Sequence, residues 1–150
     1  MLKNKPIKLI IILLAGILTI SLINSCGSSK SDITTDDPIK AFEIAKRKFD
    51  KRDYTDAIED FSFLKIRFAG TEISDKVQYY LAASYYYQKE YILAAYEFEN
   101  FLKNFPLSEL NAEGKFMLGN TYYALSPKYS LDQEFTKEAI NQYLQFIELY

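Results

Sequence analysis

One stretch of this chain recurs at a fixed spacing, and that recurrence constrains the fold more than any other feature. Asp53-Tyr54-Thr55-Asp56-Ala57-Ile58-Glu59-Asp60-Phe61 aligns with Glu90-Tyr91-Ile92-Leu93-Ala94-Ala95-Tyr96-Glu97-Phe98, with tyrosine, alanine and phenylalanine repeating 37 residues apart. Ala45 stands twelve residues before Ala57, and Ala82 twelve before Ala94, so each unit has a second, earlier segment. Phe68-Ala69 and Phe105-Pro106 close the two units in register. A third copy carries Gly119 and Tyr122 where the second has Ala82 and Tyr85, and Ala139 with Tyr143 in the later segment. There the two segments are twenty residues apart instead of twelve, so eight extra residues fall within Ala124 to Gln133, where Ser126-Pro127 suits a surface loop. A unit of this length is one supersecondary element that cannot bury its own apolar face, so copies must stack.

Each segment has the spacing of a helix. Ile39, Phe42, Ile44, Ala45 and Phe49 favour one broad face, and Asp37-Pro38 supplies a capping side chain followed by proline in the first turn. Ala57, Ile58, Phe61, Leu64 and Phe68 recur at steps of three and four between about Tyr54 and Arg67. The same logic predicts helices over Val77 to Gln88 and Tyr91 to Asn104, one capped by Ser108 and running to about Ala124, and one starting near Asp132 or Phe135. No run of alternating β-branched residues competes, so the chain is expected to be all-α. Ala45, Ala57, Ala82, Ala94, Gly119 and Ala139 would let helix axes approach, while Tyr54, Phe61, Tyr91, Phe98 and Tyr143 fill the space beside them.

Such helical hairpins resemble tetratricopeptide repeats. The resemblance implies a right-handed solenoid of three units, 37–71, 72–107 and 108–150. The last helix ends in large apolar and aromatic residues where a terminal repeat usually carries a polar cap, so further repeats are expected to follow.

The chain before the repeats is of another kind. Lys3, Lys5 and Lys8 precede an almost wholly apolar run from Leu9 to Ile23, which has the outline of a signal peptide and is shorter than the roughly 20 residues that span a bilayer. Ile23-Asn24-Ser25-Cys26-Gly27 follows at once and resembles the bacterial lipobox, which implies removal of residues 1–25 and acylation of Cys26. Cys26 is the only cysteine, so no disulfide forms within the chain. Residues 26–36 read as the lipidated terminus and a flexible linker, being small and polar. Acyl chains there would hold the protein to a leaflet. Without its first 25 residues the chain keeps 15 basic against 20 acidic side chains, a balance that favours neither nucleic acid nor an anionic lipid surface.

A lipobox, a polar linker, repeats of this long period and an insertion closed by Leu131-Asp132-Gln133, with Thr136, Ala139-Ile140 and the Phe146-Ile-Glu-Leu-Tyr150 segment, together resemble the BamD family of β-barrel assembly lipoproteins. Ala69, where a proline usually closes a repeat, and Lys48, where an aromatic is usual, depart from the pattern. The resemblance implies an outer-membrane lipoprotein on the periplasmic face, about five repeats in all, and a role for these first repeats in recognising unfolded outer-membrane protein precursors. Its implied partners are a BamA-like barrel subunit and the other lipoproteins of the assembly machinery. Two other functions fit parts of the pattern: a general periplasmic scaffold built of the same repeats, and a glycan-binding lipoprotein, which would be longer and rich in the tryptophan this chain lacks.

In related superhelices the first helix of each hairpin lines the concave face, which here implies a peptide-binding set of Phe42, Lys46, Phe49, Asp50, Tyr79, Tyr86, Tyr87, Phe116, Asn120 and Tyr123. Their rings could meet the aromatic side chains of barrel segments, and Asn120 could bond an extended backbone. Tyr85-Tyr86-Tyr87 point about 100° apart on a helix, so at least one faces a groove or solvent. The sequence offers no histidine, no Gly-rich phosphate loop and no nucleophile motif, so no enzyme, cofactor or metal centre is expected. The acid pairs Glu97 with Glu99, and Asp56 with Glu59 and Asp60, read as solvated charged faces.

Overall fold

The computed structural model describes Ser31 and residues 33–150; the expected signal peptide, Cys26 and most of the linker lie outside the described residues. Six helices follow in the described part: α1 (Pro38–Asp50), α2 (Tyr54–Arg67), α3 (Ser74–Tyr87), α4 (Tyr91–Asn104), α5 (Asn111–Leu125) and α6 (Glu134–Leu149). Each packs on the next, so the architecture is all-α and built of sequential hairpins, as the repeat spacing predicts. No helix among the described residues is long and apolar enough to cross a membrane.

The period reappears in backbone hydrogen bonds. At the end of α1, Arg52 N donates to Phe49 O at 2.9 Å and Asp53 N to Lys48 O at 3.0 Å. At the end of α3, Lys89 N donates to Tyr86 O at 3.0 Å and Glu90 N to Tyr85 O at 2.9 Å. Both sets form a Schellman cap, in which the residue after the helix turns left-handed and frees the chain to reverse. Arg52 and Lys89 take that conformation with φ of 65° and 69°, although neither is glycine. The turns between hairpins match as well: Thr71 N and Ser108 N donate to Phe68 O and Phe105 O at 3.2 and 3.1 Å. Where the second such turn has Pro106, the first has Ala69 and then Gly70 at φ +77°, so glycine supplies the bend there.

Helix starts depart from expectation in two places. α3 begins at Ser74, three residues before Val77, because Ser74 Oγ donates to Phe68 O at 3.1 Å and draws the turn into the helix. Ser108 does not cap α5, which starts at Asn111. Its hydroxyl accepts from Leu110 N at 3.2 Å and donates to Asp75 Oδ2 at 2.6 Å, so it ties the turn to the previous hairpin. Asp37 does cap α1: its Oδ1 accepts from Ile39 N at 3.0 Å and Lys40 N at 3.2 Å. The Lys40 backbone bond, with the Lys40 side chain beside it, holds the Asp37 carboxyl below the usual range.

All the small residues chosen for helix crossings are buried: Ala45, Ala57, Ala82 and Ala94 fully, Ala139 nearly so, and Gly119 under the ring of Tyr143. Phe61 and Phe98, 37 residues apart, are wholly enclosed, each burial contributing about 1.5–3 kcal/mol. One core cluster joins α1 and α2 to α3, and a second joins α3, α4 and α5; Phe49, Tyr80 and Tyr85 border both.

Two acids expected in solvent are buried instead. Asp60 is 1% exposed and Glu97 8%. They occupy the same repeat position, turned toward the neighbouring helices, and each is matched by a cation. Lys48 Nζ lies 2.7 Å from Asp60 Oδ2. Glu97 receives Lys65 Nζ at 2.7 Å and Gln78 Nε2 at 2.8 Å, a knot that ties α2, α3 and α4. Lys48 therefore departs from the aromatic pattern because a buried carboxylate needs it.

The end of the expected linker is also held down. Ile33 is 4% exposed within the first core cluster, and Asp36 pairs with Arg67. Packed structure thus starts several residues before α1.

Candidate functional site

The backbones of α1, α3 and α5, the first helix of each hairpin, approach one another in sequence. Among the described residues those of α2 and α4, and of α4 and α6, stay farther apart, with α2 reaching α4 through the long Lys65 side chain on Glu97. The first helices therefore form the inner row. They carry the residues singled out for peptide binding, and the structure sorts those residues into two groups.

Phe42 and Tyr79 belong to the core. Phe42 is 7% exposed, its ring centroid 5.9 Å from that of Phe61 and 5.6 Å from that of Tyr80. Tyr79 is 4% exposed and packs edge-on to Phe98 and Phe101. Burial, then its hydrogen bond to the Glu113 carboxylate, pushes the Tyr79 phenol well above its ordinary pKa. Neither ring is open to a ligand, because helical spacing turns both toward a neighbouring hairpin.

The remainder stay at the surface. Phe49 is half-buried and meets Tyr54 at 5.6 Å, Tyr80 at 5.1 Å and Tyr87 at 5.8 Å. Tyr87, 48% exposed, stacks on Tyr54 at 5.3 Å and 17°. Phe49, Asp50, Arg52, Tyr54 and Tyr87 line an open recess of about 420 Å³. Lys46 pairs with Asp50 and lies 5.0 Å from the Tyr80 ring centroid. Burial lowers its pKa, but the Asp50 bond and the surrounding negative groups outweigh that and hold the ammonium charged. Tyr86 is half-buried against Tyr91 at 5.6 Å, and burial raises its pKa.

On α5, Phe116 and Tyr123 are exposed, and Phe116 leans on Tyr143 and Phe146 of α6. Asn120 Oδ1 accepts from the Tyr143 hydroxyl at 2.8 Å, and its amide nitrogen meets only Met117 Sδ, at 3.8 Å. The acceptor end of that amide is thus engaged within the fold, while its donor end meets no oxygen acceptor among the described residues. Burial and the nearby phenols of Tyr86 and Tyr123 raise the Tyr143 pKa, so these three tyrosines share one neighbourhood between α3, α5 and α6.

Tyr54, Arg52 and Tyr80 were not among the candidates. The recurrence of Tyr54 with Tyr91 was visible, but it reads equally as packing. Tyr80 gives no signal, since a second tyrosine beside Tyr79 cannot be assigned a face from spacing when both turn inward. The face as a whole offers ring surfaces, an amide donor and separated charges, which suit an extended apolar or aromatic peptide.

The family described as YfiO, outer membrane lipoprotein, matches residues 34–150. A relative named as an outer membrane protein assembly factor BamD, from Aquifex aeolicus (strain VF5), is 32% identical over 138 residues, covering 91% of this chain and 44% of that protein. The chain thus spans less than half the length of this relative. With the six helices, the repeat period and these two matches in agreement, the chain belongs to the YfiO/BamD family of outer membrane lipoproteins.

Proposed function

We propose that this chain is the precursor-binding part of a β-barrel assembly lipoprotein. Acylated at Cys26 and held at the periplasmic face of the outer membrane, it grips unfolded outer-membrane protein precursors on its inner helix row and presents them to a BamA-like barrel subunit and its companion lipoproteins. The observation that carries this reading is the open aromatic row of Phe49, Tyr86, Tyr87, Phe116 and Tyr123, with Tyr87, Phe116 and Tyr123 between 44% and 71% exposed. Rings left in water on a face that could have been polar are suited to transient contact with the aromatic side chains of a barrel precursor.

Purification of the full-length lipoprotein from native outer membranes through a mild affinity tag tests the partners. Recovery of the barrel-forming subunit in near-equal amount supports the reading, and recovery of some other complex in its place points to a general repeat scaffold. For the face itself, the combined variant Tyr87→Ala, Phe116→Ala and Tyr123→Ala should bind a urea-unfolded barrel precursor at least about tenfold more weakly, given about 0.5–1.5 kcal/mol for each aromatic contact. Unchanged affinity with unchanged helicity would remove the inner row from precursor binding.

A further inference from the structure

The third hairpin breaks the period by eight residues, and the loop that results, between α5 and α6, is a shaped object. Gln133 Nε2 donates to Lys128 O at 3.0 Å and Leu131 O at 2.9 Å, while Leu131 N donates to Lys128 O at 2.9 Å. Thr136 Oγ1 donates to Gln133 Oε1 at 2.9 Å, so one side chain fixes the loop from both ends of its amide. That frame holds Tyr129 95% and Leu131 61% exposed. Beside them lies a recess of about 400 Å³ lined by Leu125, Pro127, Leu131, Asp132, Glu134 and Phe135. Four of these lining residues are apolar, and the other two, Asp132 and Glu134, are exposed carboxylates. Neither Asp132 nor Glu134 forms an ion pair among the described residues.

We infer that this loop is a docking element for a short extended segment of another protein, one that seats an apolar side chain in the recess and sets a lysine or arginine against Asp132 and Glu134. Two folded proteins in a stable complex each bury about 800 Å². One recess with two projecting side chains offers far less and suits one or two residues of an extended chain. The charge of these carboxylates then chooses the neighbours of the seated residue, because an acidic segment would be repelled and a basic one drawn in.

The recess sits at the end of α5 and uses none of the open aromatic residues of the inner row, so its test is independent of that role. A fluorescently labelled nine-residue peptide with a central leucine and arginines two positions to either side would be titrated against the full chain, beside a counterpart with glutamates in place of the arginines. The arginine peptide should bind saturably and about tenfold more tightly than the glutamate peptide, a difference of about 1.4 kcal/mol. Asp132→Lys combined with Glu134→Lys should abolish or invert that preference, Tyr129→Ser should weaken binding, and Tyr87→Ala should leave it intact. All four substitutions fall on exposed side chains, and circular dichroism would verify the fold. Equal binding of the two peptides, or a preference indifferent to the charge reversal, would overturn the proposal. So would a self-association that Tyr129→Ser abolishes, since the occupant would then be a second copy.

Discussion

Lys48 stands on a helix face that the second hairpin fills with Tyr85, and it carries a buried carboxylate in exchange. Replacing it by alanine leaves the Asp60 carboxyl unmatched in the core. A broken buried pair costs about 3–5 kcal/mol, so Lys48→Ala should shift the urea midpoint sharply, and adding Asp60→Leu should recover much of the loss. The two buried glycines of α5 make a finer comparison. A Cβ at Gly114 would come 2.6 Å from Phe101 Cε1, and one at Gly119 would come 2.7 Å from Tyr143 Cε1. Phe101 is wholly enclosed, whereas Tyr143 is half-buried and can swing away. Alanine gains about 1 kcal/mol in helix propensity, and overpacking costs about 1–3 kcal/mol. Gly114→Ala should therefore lower stability by up to about 2 kcal/mol in a denaturant titration while Gly119→Ala stays near neutral. Equal losses would show that the Tyr143 ring is as fixed as Phe101.

At the scale of the helix and its turn, the Schellman caps after α1 and α3 place arginine and lysine where glycine is most at ease. A side chain in the left-handed region costs about 1–2 kcal/mol. Lys89→Gly should thus raise stability by about 1 kcal/mol, with part of the gain offset by the freer unfolded chain. A lower melting temperature would mean that the Lys89 side chain supports the turn through its own contacts. The boundaries of α2 and α4 were legible to the residue because a tyrosine opens each helix right after the reversal. Those of α3 and α5 were not, because Ser74 and Ser108 have the chemistry of caps but spend their hydroxyls on Phe68 O and Asp75.

Across the whole described fold, tyrosines bind one hairpin to the next, and this gives stability a direction in pH. Tyr79 and Tyr122 are raised well above the ordinary phenol value of 10, first by burial and then by hydrogen bonds to Glu113 and Glu99. An unfolded phenol loses its proton near 10 while the folded one keeps it, so the contribution is complete below that pH and declines as pH rises further. Unfolding followed by circular dichroism should begin at lower denaturant above pH 10, and Tyr79→Phe should flatten that decline. A profile unchanged by Tyr79→Phe would place the alkaline sensitivity in other groups.

The sequence by itself determined the repeat, its period, the small residues at every crossing and the family, because close helix packing admits few residue types and a stacked fold must repeat them. Its resemblance to related superhelices also marked the inner-row positions along α1, α3 and α5. Only the tertiary structure decided which of those rings remain open. Phe42 and Tyr79 went into the core and Tyr87, Phe116 and Tyr123 stayed out, since exposure depends on the adjoining hairpin and not on the helix that bears the ring. The same reason hid Asp60 and Glu97. A carboxylate on a helix reads as solvated until the neighbour that covers it, and the lysine that answers it, are in place.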